Sequence, residues 1–427
     1  MTESDNSLLF STQDLPQDRR FRRFVALLSF VLCLFASSVL VSSGVVAKEI
    51  GPNEDLCRVI NDPLTENELV LAPGEYQGPC TIRRGGDAER PLIIRAKEET
   101  NRPHINYQGE SANVLEIRAD HVIMKGLAFG PSKVDAIRIR SNKNVQVIDC
   151  EFFQIGGIAV VANQSSLDGL IVSGNVVRDS RATAMYFGCH DGNACRLGSI
   201  IIEKNVIDGV SAAFNEIGYG IQVKLNSSAI IRENAVRNTK GPGIMIYGSD
   251  QISLKESLIE RNFVSGSRTS SAIVIGGGPA IVRNNIALYS VQSGIGLENY
   301  GRRGLLRQII VGFNSVYGNK TGGITAPQTS VSDTFLIGNV GWNDSEAAVF
   351  PSDQSGIWQS DNLNCDQRCF ANPGDLDFLP VPGSPLDRHR VRFSAAWLPK
   401  VDFFGKPRNS PPRAGAVESI GRPWLLP

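Results

Sequence analysis

A segment of alternating apolar residues that ends in asparagine recurs through the middle of the 427-residue chain, and it limits the possible folds more than any other feature. A second alternating segment, usually opened by glycine as in "GIQVK" and "GIMIYG", falls between the asparagines, which lie 23 to 30 residues apart. Short strands at such a period, without helical periodicity, indicate a chain that climbs one coil per repeat. The repeated asparagines are Asn175, Asn205, Asn234, Asn262, Asn285, Asn314 and Asn339, with Asp149 of "VQVIDCEFF" in the equivalent place one repeat earlier.

The repeat predicts an all-β fold: a right-handed parallel β-helix, which is a solenoid, with N-terminal and C-terminal capping segments. Asparagine tolerates the left-handed backbone of a sharp corner, and asparagines stacked in successive coils hydrogen-bond one another through their amides. The spacing drifts because core strands must stay in register, whereas surface loops lengthen at small entropic cost. A leucine-rich horseshoe fits worse, because its leucine pattern and helical half-repeats are missing.

The N-terminus is interpreted as a targeting segment. Four arginines between Arg19 and Arg23 precede an apolar run from Phe24 to about Val41. Cleavage near Lys48 would remove a signal peptide, whereas retention would leave a membrane anchor, and in both cases the arginines stay inside. We therefore expect a secreted or periplasmic protein that touches a membrane only through an uncleaved N-terminal segment.

Four segments follow from the repeat and the targeting signal. They are a signal peptide or membrane anchor (1–47), an N-terminal cap with the first coils (48–110), the β-helix repeats (111–345) and a C-terminal capping segment (346–427).

The chain has eight cysteines, of which Cys33 lies in the apolar run. Short separations and an oxidising compartment favour disulfides over metal ligation. Cys150 is left over inside a predicted strand, where it is interpreted as a small buried hydrophobic residue. The predicted disulfides are Cys57 with Cys80, Cys189 with Cys195, and Cys365 with Cys369.

The charge balance indicates no nucleic-acid partner. The chain carries 43 basic and 43 acidic residues, so binding to a charged polymer would need a local patch. We expect a monomer.

Strand alternation places several polar side chains on the outer face of the coil. In "GIQVK", Ile221 and Val223 point inward, so Gln222 and Lys224 point outward. Aligned strands stack Tyr186, Gln222 and Met245 in one exposed column, with Gly188, Lys224 and Tyr247 in the next.

A histidine lies close to this face. His190 follows the strand "AMYFG" in a loop that the predicted Cys189–Cys195 bridge would hold, one coil from Lys224. A lysine, a histidine and two tyrosines gathered on one exposed face suit general acid–base catalysis, in which one group abstracts a proton and another donates one. The predicted catalytic residues are Lys224, Tyr247 and His190. The predicted substrate-binding residues are Tyr186, Gln222, Asp191, Arg138, Arg140 and Glu298.

Two further stretches carry a resemblance to a known family. The segment "APGEYQGPCTIRRGGDAERPLIIRA", from Ala72 to Ala96, resembles the first coil of the pectate-lyase-like superfamily, particularly the branch with chondroitinase B and alginate lyases. The tail "FLPVPGSPLDRHR" with "DFFGKPRNSPPRAGAVES" is similar to the closing segment of those proteins. The resemblance implies a β-helix that acts on acidic polysaccharides.

The resemblance also implies roles for particular residues. Lys224 lies in "GIQVKLNSS", which resembles the stretch that carries the catalytic base in that branch. In those proteins calcium or another cation often neutralises the uronate carboxylate. The acidic calcium ligands are not reproduced, since Gln222 stands near one of them, and "MIYG" replaces the stretch with the catalytic arginine. The metal ligands are therefore unknown, no cofactor is certain, and Ca²⁺ is retained as an alternative.

Three hypotheses follow. The first is an exported lyase or epimerase of a uronate polysaccharide, with Lys224 as base and Tyr247 or His190 as acid. The second is a non-catalytic β-helix that binds or scaffolds polysaccharide at the cell envelope. The third, glycoside hydrolysis, ranks last because it needs two exposed carboxylates, and the outer columns show no such pair.

Overall fold

The computed structural model describes residues 47–213, 216–250, 255–299, 304–342 and 348–418. In this part of the chain three parallel sheets wind around one apolar core, and successive coils add one strand to each sheet in turn. Strands that are neighbours in a sheet come from successive coils and pair in parallel, as Met185–Phe187 does with Ile221–Val223. The predicted parallel β-helix is confirmed.

The first sheet has 13 strands, the second 12 and the third 10. The strands of the first sheet are Ala47–Ile50, Glu68–Leu71, Leu92–Ala96, Val122–Lys125, Lys143–Ile148, Leu167–Ser173, Leu197–Glu203, Ala229–Arg232, Ser257–Glu260, Ala280–Arg283, Leu306–Gly312, Val331–Ile337 and Ile357–Ser360. Those of the second sheet are Glu75–Gln77, His104–Tyr107, Ala128–Ser132, Glu151–Ile155, Val176–Ser180, Val206–Val210, Ala235–Thr239, Phe263–Ser265, Ile286–Leu288, Ser315–Tyr317, Val340–Trp342 and Leu363–Asn364. Those of the third sheet are Cys80–Ile82, Leu115–Ile117, Ile137–Ile139, Val160–Ala162, Met185–Phe187, Ile221–Val223, Ile244–Ile246, Ile273–Ile275, Ser293–Leu297 and Gly322–Thr325.

Few other elements occur among the described residues. The helix Leu56–Asn61 is capped by Asp55, whose side chain accepts a hydrogen bond from the Arg58 backbone at 3.0 Å. Near the C-terminus lie the 3₁₀ turns Gln367–Cys369 and Pro373–Asp375, the antiparallel pair Phe370–Asn372 and Asp377–Pro380, and the helix Pro385–Arg388. The described part of the chain contains no helix long and apolar enough to cross a membrane. The predicted signal peptide or anchor lies outside the described residues, apart from Ala47.

Alternation decides which side chains form the core. In the strand Leu197–Glu203, Leu197, Ile200 and Ile202 are buried, whereas Ile201 is only half-buried. Ile200 is paired with Leu170 of the preceding coil, so apolar residues stack directly on one another along the axis. β-Branched side chains suit such a pleated, close-packed surface, and their burial is the main stabilising contribution to the coil.

The predicted asparagine ladder runs along the corner between the first and second sheets. Each ladder amide donates from Nδ2 to the Oδ1 of the next asparagine at 2.9 to 3.0 Å, from Asn175 through to Asn362. Each backbone N–H of the ladder donates to the same Oδ1 at 2.9 to 3.0 Å. Because these groups are buried, the ladder satisfies polar atoms that water does not reach.

Two details of the predicted corner are wrong. The left-handed conformation falls on the residue before each asparagine, such as Lys204 before Asn205 with φ of 57°. Asp149 is one of these left-handed residues, and it is the backbone N–H of Cys150 that donates to Asn175 Oδ1 at 2.9 Å. The repeat therefore needs a residue that accepts positive φ followed by a buried asparagine, and Cys150 holds the asparagine position in its coil.

All three predicted disulfides form, and Cys150 is a free, buried thiol. The Cys57–Cys80 bridge ties the helix Leu56–Asn61 to the first strand of the third sheet. The bridge between Cys365 and Cys369 follows the last strand of the second sheet.

Cys150 is expected not to react with an alkylating thiol reagent while the protein is folded. Its side chain is fully buried, and that burial raises the pKa of the thiol to about 12, so the reagent meets neither an accessible sulfur nor a thiolate. Mass spectrometry of the unreduced protein should find Cys150 unmodified before denaturation and modified afterwards. The denatured sample is the control for the reagent, and modification of the native protein would contradict the buried position.

The C-terminal segment closes the coil through a buried arginine. The Arg408 guanidinium lies 3.3 Å from Glu418, and it donates to Asn284 Oδ1 at 2.6 Å. Burial lowers the pKa of Arg408 to about 10, while the nearby carboxylates of Glu418 and Asp402 act in the opposite direction. This pairing joins the closing segment to the ladder corner, because Asn284 precedes the ladder residue Asn285.

Candidate functional site

A cleft of about 670 Å³ lies on the outer face of the third sheet. We call it the main cleft. One wall is the third sheet itself, and the other is made by the segments that connect the second sheet to the third. The cleft brings together five residues that the sequence predicted for one site: Tyr186, His190, Gln222, Lys224 and Tyr247.

Strand register explains how residues far apart in sequence meet. Tyr186 pairs with Gln222, and Gln222 pairs with Met245, as the aligned strands predicted. One position further on, the Lys224 backbone donates to Phe187 and the Tyr247 backbone donates to Val223, at 2.8 and 3.0 Å. The outward side chains of successive coils therefore stand about 4.8 Å apart in two neighbouring columns.

Lys224 forms the floor of the main cleft. Its Nζ lies 4.2 Å from the centre of the Tyr247 ring and 5.2 Å from the centre of the Tyr186 ring. The residue is only 4% exposed, so Lys224 does point outward from the coil, but the prediction that its column is exposed is wrong. Gln222, Met245 and Tyr247 are buried as well. Ring faces attract a cation, and this attraction strengthens when water is excluded.

Gly188 leaves room for the lysine. A Cβ added at Gly188 would lie 2.9 Å from the Lys224 Cβ and 2.8 Å from the Ser227 hydroxyl. Its φ of +94° is also a conformation that residues with a side chain rarely adopt. Because residue 188 is glycine, the preceding coil has no side chain next to the aliphatic stem of Lys224.

Hydroxyl and amide groups surround the Tyr247 ring. The Tyr247 hydroxyl lies 3.3 Å from the Tyr219 hydroxyl, and Gln222 Nε2 donates to it at 3.4 Å. Tyr219, Tyr247, Met245, Leu225 and Val274 form a small apolar cluster outside the main core. Tyr219 has no repeat signature, so sequence reasoning missed it.

The disulfide loop brings His190 to the mouth of the main cleft. Cys189 and Cys195 are bridged, His190 is exposed, and Gly192 packs so closely on Leu225 that an added Cβ would lie 2.8 Å from the Leu225 Cβ. Asp191 does not line the main cleft. Its carboxylate accepts a hydrogen bond from the Asn193 backbone at 3.0 Å, which shapes the loop.

The connecting segments add charged groups that the sequence did not single out. Asp135, Arg181 and Glu216 line the main cleft, and they all follow strands of the second sheet. Asp135 is engaged, because it is ion-paired with Arg138 and accepts a hydrogen bond from the Ile158 backbone at 2.8 Å. These three positions do not follow the repeat in the sequence. The coil of Glu216 differs in sequence only by the greater length of the segment before Tyr219.

Lys240 binds two backbone carbonyls at the rim of the main cleft. Its ammonium donates to the carbonyls of Ala213 and Glu216, at 2.8 and 2.7 Å. Glu216 and Ile217, which are exposed, are therefore positioned at the rim of the main cleft by a residue of the next coil.

Three of the predicted substrate-binding residues lie elsewhere. Arg138 is bound by Asp135 and by Asn163 Oδ1 at 2.8 Å, and Arg140 Nε lies 3.2 Å from Glu116. Glu298 lines a separate cleft of about 460 Å³ and accepts a hydrogen bond from the Ser271 hydroxyl at 2.9 Å. The structure does not bring these three residues into the main cleft.

The described residues contain no group of three or more histidine, cysteine, aspartate or glutamate side chains placed to hold a metal ion. The calcium ion that the sequence left as an alternative therefore has no cluster of acidic side chains in this part of the chain.

Comparison with known proteins agrees with this architecture. The family model described as "Right handed beta helix region" matches residues 195–363. No curated protein matches the chain in sequence. The structure is similar to that of the pectate lyase Pel9A, with a TM-score of 0.52 and 13% identity over 88% of this chain and 98% of the other. The chain therefore has a right-handed parallel β-helix fold, which is similar to the fold of this pectate lyase.

Two other solved structures share this fold. One is a lacto-N-biosidase from Eubacterium ramulus, with a TM-score of 0.53 and 11% identity over 81% of this chain and 72% of the other. The second is XylC in complex with xylose, with a TM-score of 0.51 and 10% identity over 74% of this chain and 83% of the other. At these identities the likeness is one of fold, so the chemistry has to be argued from the site.

Proposed function

We propose that the protein is an exported carbohydrate-active enzyme that acts on a uronate-containing polysaccharide by proton abstraction next to the carboxylate, as a lyase or an epimerase. The observation that carries the proposal is the buried Lys224 amine between the rings of Tyr186 and Tyr247 at the floor of the main cleft. A lysine amine positioned against aromatic rings at the floor of a cleft is the kind of base that proton abstraction needs.

In the proposed reaction the neutral Lys224 amine takes the proton from the sugar carbon that bears the carboxylate. The electron pair of the broken C–H bond moves into the carboxylate system. In a lyase it then forms a carbon–carbon double bond, while the glycosidic oxygen leaves and takes a proton from Tyr247 or His190. In an epimerase Tyr247 or His190 donates a proton to the same carbon from the opposite face, and the negative charge on the carboxylate system is thereby discharged.

The remaining cleft residues have positioning roles in this proposal. Arg181 offers a guanidinium for the sugar carboxylate, and neutralising that carboxylate makes the neighbouring C–H bond more acidic. Tyr186 offers a ring on which a sugar stacks, and the Gln222 amide suits sugar hydroxyls. Tyr219 and Gln222 orient the Tyr247 hydroxyl.

Fold and compartment support the class of activity. Proteins of the same fold include, by name, a pectate lyase and a lacto-N-biosidase, and we take from them only the carbohydrate class. Three disulfides support an oxidising compartment, which agrees with export.

Glycoside hydrolysis is the second candidate, because Asp135 and Glu216 both line the main cleft and hydrolases use two carboxylates. The ion pair between Asp135 and Arg138 places this carboxylate in a structural role.

Binding without catalysis is the third candidate, since tyrosine rings and amides also serve a binding site.

A panel of pectates, alginates and glycosaminoglycans tests the proposal, with and without calcium. We expect either ultraviolet absorbance from an unsaturated uronate or a change of sugar configuration in proton NMR spectra. New reducing ends without absorbance would identify hydrolysis. Binding to one polymer without any product would favour the non-catalytic alternative.

Substitution of Gly188 by alanine is expected to lower activity by about tenfold or more. The added methyl group meets the Lys224 Cβ at 2.9 Å, so the lysine stem has to shift, and a displacement of about 1 Å in a catalytic group can cost up to about 100-fold in rate. Steady-state kinetics would measure the loss. Gly198→Ala is the control, because its added Cβ meets nothing closer than 3.2 Å; equal losses in both variants would contradict the role of Gly188.

A further inference from the structure

The main cleft is open at the edge that faces the second sheet. A further cleft of about 730 Å³ lies beyond that edge, and Gly156 and Arg181 line both. We call it the side cleft. Its existence was not indicated by the repeat, because its lining residues have no common sequence signature.

The boundary between the two clefts has no side-chain wall where Gly156 and Gly157 lie. A Cβ at Gly156 would lie 2.6 Å from the Lys133 carbonyl, and one at Gly157 would lie 2.4 Å from Asp135 Oδ1. The close approach of the neighbouring coil therefore keeps larger residues out of this boundary. A ligand that crosses this boundary passes the backbone of Gly156 and the exposed side chain of Arg181.

The side cleft follows the helix axis. Gln108, Lys133, Gln154, Asp179 and Ser211 line it, come from five successive coils and are all exposed. At about 4.8 Å per coil, these five positions span about 19 Å. Left-handed backbone at Gln154 and Asp179, with φ of 51° and 57°, interrupts the alternation of the second sheet at these two positions.

The chemistry of the side cleft suits a saccharide. Its charged lining residues balance, with Glu110 and Asp179 against Lys133 and Arg181, and Lys133 Nζ lies 3.2 Å from Glu110. Amides, hydroxyls and balanced charges donate and accept hydrogen bonds without selecting for net charge. Pro131 is the one lining residue there with an apolar side chain among those described. Such a lining matches sugar hydroxyls better than it matches an apolar ligand.

We propose that the side cleft binds further sugar units of the chain that occupies the main cleft, so that the substrate crosses the boundary at Gly156 and Arg181. This inference rests on the proposed function. In this inference the side cleft recognises the length of the saccharide chain through contacts with sugar hydroxyls. The uronate carboxylate is recognised in the main cleft.

The variant Ser211→Trp, which places an indole in the side cleft, tests this inference in the full-length protein. Calorimetry would measure the binding of disaccharides and hexasaccharides of pectate, alginate and chondroitin. We expect Ser211→Trp to weaken hexasaccharide binding by about tenfold, equivalent to about 1.4 kcal/mol, and to leave disaccharide binding unchanged. Lys133→Ala, which removes a side chain instead of adding one, should weaken only hexasaccharide binding, by severalfold. Ser332→Trp, at an exposed serine of the first sheet, is the matched control.

The outcomes separate the two proposals. Hexasaccharide affinity that is the same in Ser211→Trp, Lys133→Ala and Ser332→Trp overturns the side-cleft inference alone. Disaccharide affinity that falls together with hexasaccharide affinity also overturns it, because the effect then reaches the main cleft. Failure of the unsubstituted protein to bind any of these saccharides overturns both the inference and the proposed function.

Discussion

Replacement of Lys224 by methionine is expected to lower kcat/KM on the uronate polysaccharide by about 10²–10⁴ without unfolding the protein. Methionine keeps the apolar stem between Tyr186 and Tyr247 and removes only the amine that would accept the proton. Steady-state kinetics on the polymer identified in the panel would measure the loss. The KM should change less than kcat, because the amine acts mainly in the transition state.

Lys125→Met is the matched control for this experiment. Lys125 is an exposed lysine at the end of a first-sheet strand, outside the residues that line the main cleft. Its replacement should leave both kcat and KM unchanged. A Lys224→Met protein that retains wild-type kcat would rule out the lysine as the base, whatever its burial.

Replacement of the ladder residue Asn262 by leucine is expected to destabilise the folded protein by roughly 2–4 kcal/mol. Asn262 Oδ1 accepts from the backbone and the side chain of Asn234, at 3.0 and 2.9 Å, and its Nδ2 donates to Asn285 and to the Ile231 carbonyl. Leucine has a similar volume and offers none of these bonds. It therefore leaves the buried N–H of Asn234 without an acceptor in the ladder.

Urea denaturation followed by circular dichroism would measure this loss of stability. Asn142→Leu is the control, because Asn142 is exposed and its substitution should change the free energy of unfolding by less than about 0.5 kcal/mol. Equal stability of the two variants would show that the ladder contributes little to holding successive coils together.

The sequence predicted the fold because every coil of the β-helix has the same structural requirements. Every coil needs inward apolar residues in register and a buried amide at one corner, so the pattern in "IIIEKNVIDGV" recurs along the chain. What the pattern did not show was which backbone position is strained. Lys204, Glu233 and Arg261 have positive φ, and these residue types give no warning of it. The shift of the corner from Asp149 to Cys150 has the same origin.

The candidate site was predictable in part for the same reason. Register placed Tyr186, Gln222, Lys224 and Tyr247 together, because outward positions of paired strands must be neighbours. The burial of Gln222, Lys224 and Tyr247 was not predictable, since it depends on residues outside the strands, such as Tyr219. Arg181 and Glu216 line the main cleft from connecting segments. Such segments are irregular and vary in length, so the sequence has no period that predicts which way their side chains point.

The most direct test of the central claim is the fate of the hydrogen on the sugar carbon next to the carboxylate. The wild-type protein would be incubated in deuterated water with the uronate polymer that it binds, and the sugars analysed by NMR. We predict that this hydrogen is lost to a double bond or replaced by deuterium, and that Lys224→Met prevents both changes. A wild-type protein that cleaves the polymer and leaves this hydrogen in place would contradict proton abstraction by Lys224.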